Sequence, residues 1–279
     1  MKQFKCPKRK CSGKINVGST ICPECGKNFG VFGKHGSDAI VKKYCEKKYQ
    51  GQSPRDAKVV FIGRDANFAA NLSESTYIFD ILLDYLDDGV KFWENSDDPT
   101  YWEHRTNSDL IRKVHHPFLL PAYRQLPNKD GYTYHYNFSR LELDSRYAQC
   151  ISFVEIISVP TKGYHRNDPD DQIRLLTNGS EQHITDIETD ILSGDKKVVF
   201  ISDMAIHALG DFDKLSDFYQ QIYDKKCMSS KGIPELHSLK NVTIHKCYHF
   251  SDPRAKKEEH LVRLRELINK YCNLTSGST

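Results

Sequence analysis

Four short runs of β-branched and aromatic residues interrupt this chain, each set between polar stretches: Val59-Val60-Phe61-Ile62, Ile151 to Val159, Val198-Val199-Phe200-Ile201 and Val242-Thr243-Ile244. None alternates cleanly between apolar and polar. A strand with one wet face would alternate, so these runs predict strands buried on both faces, as in a parallel sheet. The intervening stretches have helical spacing. Ser73 to Leu86 places Ile78, Ile81, Leu82 and Leu86 on one stripe behind a capping serine. Asp38 to Lys48, Gln182 to Leu192 and Phe212 to Tyr223 also read as helices, and Lys256 to Tyr271 aligns Leu261, Leu264, Leu267 and Ile268. Alternating strand and helix predicts a three-layer α/β/α sandwich around a four-stranded, mostly parallel central sheet. The aromatic stretch from Lys91 to Tyr147 is expected to be an insertion near the open end of that sheet.

The first 57 residues have a different texture. Cys6, Cys11, Cys22 and Cys25 form two pairs, and the second sits in the turn Cys22-Pro23-Glu24-Cys25-Gly26. Paired cysteines at this spacing suit a tetrahedral zinc site, each loop supplying two thiolates. So short a segment buries too little to fold unaided, so the zinc would be structural. The basic N-terminus has no apolar core behind it and does not read as a signal peptide, and no apolar stretch approaches the roughly 18 residues of a membrane span. A cytoplasmic, nucleoid-associated protein with reduced cysteines is expected. The expected domains are a zinc ribbon with a basic helix and linker (1–57), an α/β domain (58–272) and a flexible tail (273–279).

Charge follows the same division. Residues 1–58 hold 14 Lys and Arg against 4 Asp and Glu, whereas the remainder holds 26 against 33. A basic arm on a mildly acidic body points to a polyanionic partner, with a merely solvated face as the plain alternative.

In open parallel sheets, ligands bind beyond the carboxyl ends of the strands. The four runs are followed by Gly63-Arg64-Asp65-Ala66-Asn67-Phe68, by Ser158-Val159-Pro160-Thr161-Lys162-Gly163, by Ser202-Asp203-Met204, and by His249-Phe250-Ser251-Asp252-Pro253-Arg254. Parallel, adjacent strands would bring a carboxylate, a hydroxyl and a histidine to one crevice. Each has a plainer reading: an Asp after a strand is often a cap, and a histidine can be a satisfied buried residue. There is no Walker loop and no Gly-x-Gly-x-x-Gly, so no nucleotide or redox cofactor is expected.

In order and spacing, these strand-end motifs resemble the uracil-DNA glycosylase superfamily over residues 58–272. Gly63-Arg64-Asp65 is similar to the loop after that family's first strand, His249-Phe250-Ser251 to its last, and Lys197 to Ile201 to its third strand. The resemblance implies hydrolysis of the N-glycosidic bond of a flipped nucleotide. Asp65 would stabilise the sugar cation and position water, and His249 would hydrogen-bond the departing base. Gly63, Arg64, Asn67, Phe68, Phe138 and Ser158 would surround the base. Ser251, Arg254 and Lys162 would contact DNA phosphates.

Three positions depart from the family. The loop proline is Ala66, the bulky tyrosine that excludes a 5-methyl group is Asn67, and the asparagine that reads the uracil edge falls near Ser158. A smaller residue beside the pyrimidine 5-carbon and a lost edge-reader imply a base other than plain uracil, such as a 5-substituted pyrimidine of phage DNA, and a role in defence. The expected partner is DNA, engaged by a monomer, with no membrane. A non-catalytic DNA-binding module of the same fold and a nucleotide- or nucleoside-processing enzyme are the alternatives.

Overall fold

A computed structural model of the protein describes residues 3–5, 11–16, 22–26, 37–66, 68, 77–95, 116–118, 133–161, 180–229 and 231–273. At the N-terminus, β1 (Gln3–Lys5) and β2 (Lys14–Asn16) pair antiparallel. The main body begins with α1 (Asp38–Lys47), capped by Ser37, whose hydroxyl accepts from Ile40 N at 3.3 Å. There follow β3 (Tyr49–Gly51), β4 (Val59–Gly63), α2 (Tyr77–Asp87), α3 (Gly89–Asn95), α4 (Thr133–Ser139) and β5 (Ile151–Glu155). The second half contains α5 (Glu181–Leu192), β6 (Lys197–Ser202), α6 (Asp203–Leu209), α7 (Asp217–Asp224), β7 (Glu235–Ser238), β8 (Val242–Cys247) and α8 (Glu258–Cys272).

The sheet has six strands in the order β3-β5-β4-β6-β8-β7. The four strands read from the apolar runs lie side by side and parallel, but the expected four-stranded sheet is incomplete. Antiparallel β3 and β7 close its two edges. Both are three or four residues long and carry no buried apolar run, the short edge strand that period-based reading passes over. β3 also corrects the expected linker. It pairs with β5, and α1 buries Ile40 and Tyr44 in the body's core, so residues 37–51 pack as part of the α/β unit.

Two cores flank the sheet. Val59, Phe61, Ile151, Phe153, Val198 and Phe200 face one, covered by α1, α2, α3, α4 and α8. Val60, Ile62, Val154, Val199, Ile201 and Ile244 face the other, covered by α5, α6 and α7. Successive side chains on a strand point to opposite faces, which is why every residue of β4 and β6 is buried and neither run alternates. The first core is aromatic: the Phe61 ring lies 5.1–5.7 Å from those of Phe138, Phe153, Phe200 and Phe250. Among the described residues, no helix is long and apolar enough to cross a membrane.

At the opposite end of the sheet from the strand-end loops, Lys197 opens β6 with a fully buried side chain. Its Nζ donates to Pro54 O and Arg55 O, each at 2.7 Å, and to Ser193 O at 3.4 Å. Burial pulls this ammonium down to about 8. Replacing it with Met strands three carbonyls that water reaches poorly. We expect Lys197→Met to cost about 2–4 kcal/mol, read from the urea midpoint; an unchanged midpoint would show that water replaces the ammonium.

Candidate active site at the strand carboxyl ends

The chain that leaves β4 remains tied to the chain that leaves β5. Ile156 N donates to Gly63 O (3.1 Å), Ile157 N to Arg64 O (3.0 Å), Thr161 N to Ala66 O (2.7 Å) and Phe68 N to Thr161 O (3.0 Å). The run expected to be one strand from Ile151 to Val159 therefore splits into β5 and a buried turn. This zipper sets Asp65 at the carboxyl end of the sheet. Asp65 accepts from Arg64 Nε at 2.7 Å through Oδ1 and from Thr161 Oγ1 at 2.6 Å through Oδ2, and its side chain is only 6% exposed.

His249 arrives from the loop after β8. That loop is anchored by Phe250, which is buried against Tyr134 and Phe138 and whose carbonyl accepts from Asn137 Nδ2. Asp203, the first residue of α6, fastens the loop from the other side. Its Oδ1 accepts from His249 N at 3.4 Å and its Oδ2 from Arg254 Nη2 at 3.3 Å. His249 Nδ1 accepts from Ser251 N at 3.2 Å, which leaves the ring proton on Nε2. Burial holds this imidazole below its usual value, against the opposing pull of Asp65 and Asp203. A neutral histidine with an Nε2–H donor thus shares a charge neighbourhood with Asp65. The Tyr134 ring lies 5.0 Å from the imidazole.

Of the residues expected at the site, Gly63, Arg64, Asp65 and His249 are brought together. Phe68 and Phe138 are not stacking platforms. Phe68 is 2% exposed against Tyr44, and Phe138 is fully buried among Phe61, Phe153 and Phe250. Apolar burial outweighs any open platform at both positions. Ser158 is turned to Ser180, whose hydroxyl accepts from Ser158 N at 2.9 Å and donates to Ser158 Oγ at 3.1 Å. Arg254 is engaged by Asp252 at 2.7 Å and lies 4.4 Å over the Tyr248 ring. Ser251 is exposed. Asn67 and Lys162 lie outside the described residues.

The residue that sequence reading missed is Glu155, the last residue of β5. It is 7% exposed, and its Oε2 is buried without a hydrogen-bond partner among the described residues. Its carboxyl lies so close to Gly63 that a Cβ there would collide with it, so the glycine makes room for the acid. Burial first, and Asp65 beside it second, push the Glu155 carboxyl well above the usual carboxylate range. The signal was a lone acid closing a wholly buried strand.

A raised folded value means that Glu155 binds a proton in the folded state at pH values where the unfolded chain has released it. Its cost is therefore absent below the unfolded value of 4.5 and grows as pH rises above it. We expect Glu155→Gln to match wild type in thermal stability near pH 4. Above that it should gain up to about 1.4 kcal/mol per pH unit until the acid ionises in the folded state. A stability difference independent of pH would contradict this.

A second cluster lies in the N-terminal segment. The Sγ atoms of Cys11, Cys22 and Cys25 lie within 4.8 Å of one another and could hold a metal ion. Cys11 and Cys22 Sγ are 3.7 Å apart, and Gly13 N donates to Cys11 Sγ at 3.4 Å. Gly13 admits this approach, since a Cβ there would stand 2.7 Å from Cys22 Sγ. Gly26 closes the second turn at φ 63°, a left-handed conformation that glycine tolerates. Cys6 lies outside the described residues.

Comparisons with family models, with curated proteins and with solved structures return no match.

Proposed function

We propose that this chain is a DNA glycosylase that hydrolyses the N-glycosidic bond of a flipped, 5-substituted pyrimidine and leaves an abasic site. The observation that carries this reading is the pairing of Asp65 with a neutral, Nε2-protonated His249 at the carboxyl ends of β4 and β8. Bond cleavage builds positive charge on the sugar and negative charge on the base. Asp65, anchored at both oxygens, opposes the first charge and orients the attacking water. His249 Nε2–H donates to the base oxygen where the second develops. A neutral donor aimed at developing charge needs no proton transfer to act.

The basic N-terminal segment supports DNA as the partner: ahead of the α/β body, residues 1–36 carry 8 basic and 1 acidic side chains. The exposed Ser251 hydroxyl suits a phosphate contact. The thiolate cluster suits zinc. With Zn–S bonds of about 2.3 Å, tetrahedral geometry separates sulfurs by about 3.8 Å, close to the 3.7 Å between Cys11 and Cys22. Cys6 would be the fourth ligand, and the ion would act as a structural clamp. The protein would act as a monomer at the nucleoid, in defence against DNA with modified bases.

The test is a panel of DNAs containing uracil, 5-hydroxymethylcytosine or glucosylated 5-hydroxymethylcytosine, with free base measured by mass spectrometry and abasic sites by alkaline cleavage. We expect release from a 5-substituted substrate. Tight DNA binding with no release from any would replace the enzyme by a binding module, and release from uracil alone would remove the 5-substituted class.

A further inference from the structure

Glu155 has no part in the reaction as just described, yet a buried carboxyl oxygen without a partner is costly and calls for a reason. Three features of its setting agree. It stands at a strand's carboxyl end, where ligands bind in such sheets. Gly63 is shaped around it. Tyr44, from α1, is a second buried polar group near it whose Oη has no hydrogen-bond partner among the described residues. The electrostatic neighbours of Glu155 are Arg64 and Asp65 on the loop after β4, Tyr44 on α1 and Tyr134 on α4. From β5's other neighbour, α5, His183 Nε2 bonds the Glu155 carbonyl at 2.8 Å and holds the backbone in place. The two acids differ in their partners. Asp65 accepts at both oxygens, whereas Glu155 Oε2 meets neither donor nor acceptor among the described residues. Glu155, buried with no donor to hold its charge among the described residues, is the carboxyl of the two that keeps a proton.

We infer that Glu155 is a general acid that protonates ring nitrogen N3 of the departing base, which makes the substrate a cytosine-type pyrimidine rather than a uracil-type one. The inference rests on the glycosylase reading. N3 of a cytosine-type base is a bare acceptor, whereas N3 of a uracil-type base already carries hydrogen. The proton leaves Glu155 Oε2 for N3 as the C1′–N1 bond breaks with its electron pair going to the base. The base therefore departs neutral, while His249 Nε2–H holds its carbonyl oxygen. Water adds to C1′, its proton passes to Asp65 and on to solvent, and Glu155 regains a proton from solvent. The sum is base-sugar and water to free base and hydroxyl sugar. The burial that keeps Glu155 protonated also limits activity at high pH, where the acid ionises.

The test compares matched DNAs containing 5-hydroxymethylcytosine or 5-hydroxymethyluracil, with wild type, Glu155→Gln and Glu155→Asp. We expect wild type to favour the cytosine-type base and its kcat/KM to decline on the alkaline side. Glu155→Gln keeps a hydrogen-bond donor but has no acidic proton. It should lose roughly 100-fold or more in kcat on the cytosine-type base, while its Kd for that DNA and its circular dichroism stay near wild type. Glu155→Asp should recover part of the loss. Wild-type rates in Glu155→Gln, or a preference for 5-hydroxymethyluracil with a flat alkaline limb, would overturn the inference and leave the glycosylase reading intact. A wild-type enzyme that releases neither these bases nor any of the earlier panel would overturn both.

Discussion

Asp65→Asn should lower the rate of base release by about 100- to 10,000-fold, or about 3–5 kcal/mol of transition-state stabilisation, with DNA affinity nearly unchanged. Asparagine fits the same volume but removes the negative charge, and its amide must turn an N–H toward either Arg64 Nε or Thr161 Oγ1. Both of those groups donate to the aspartate at 2.6–2.7 Å. The substitution therefore removes the charge proposed to oppose the sugar cation and also loosens the tie that aligns it. Because the loss concerns an interaction made mainly in the transition state, it should fall on kcat rather than KM. Single-turnover release on the best substrate of the panel measures it. Full activity in the variant would move the reaction away from the β4 carboxyl end. A fall in DNA affinity equal to the fall in rate would make Asp65 a binding residue instead.

Loss of the zinc proposed at Cys11, Cys22 and Cys25 should have the second largest effect, confined to the N-terminal segment. Its two described strands are three residues each, and its described buried side chain is that of Cys22. Apolar burial there supplies little, whereas structural zinc binding contributes on the order of 10 kcal/mol to such segments. Cys22→Ser, or a strong chelator, should leave residues 1–30 open to protease while the sheet body, with its two cores, keeps its melting temperature. Release of one zinc per chain on thiol modification would count the ion directly. DNA affinity should fall at low salt more than at high salt, because the contribution proposed for the basic segment is electrostatic. Unfolding of the whole chain on chelation would show instead that the segment props the body.

Much of the architecture was readable from short-range signals. The run Val59 to Ile62 is buried on both faces, and only a central strand of a covered sheet needs apolar residues at every position. Leu261, Leu264 and Ile268 recur at helical spacing because one face of α8 meets the sheet. The edges were not readable. Tyr49-Gln50-Gly51 has no apolar run, and it becomes a strand because β5 presents unpaired backbone groups beside it. The same holds at the site. Asp65 and His249 stood out because each follows a strand, but Phe68 and Phe138 looked equally available, since an aromatic residue reads alike whether it lines a pocket or fills a core.

What the sequence determined by itself was the four central strands and where they lie along the chain, the cysteine spacing and the placing of Asp65 and His249 at strand ends. All of these are encoded by residue type and local spacing. The tertiary structure alone decided which neighbours each group meets. It turned Ser158 to Ser180, locked Arg254 to Asp252 and Asp203, and set Glu155 against Gly63 with an oxygen that meets no hydrogen-bond partner among the described residues. Hydrogen-bond partners and desolvation depend on residues a hundred or more positions apart in the chain, as Lys197 and Pro54 are. Distance along the chain carries no record of those contacts; only packing the strands side by side creates them.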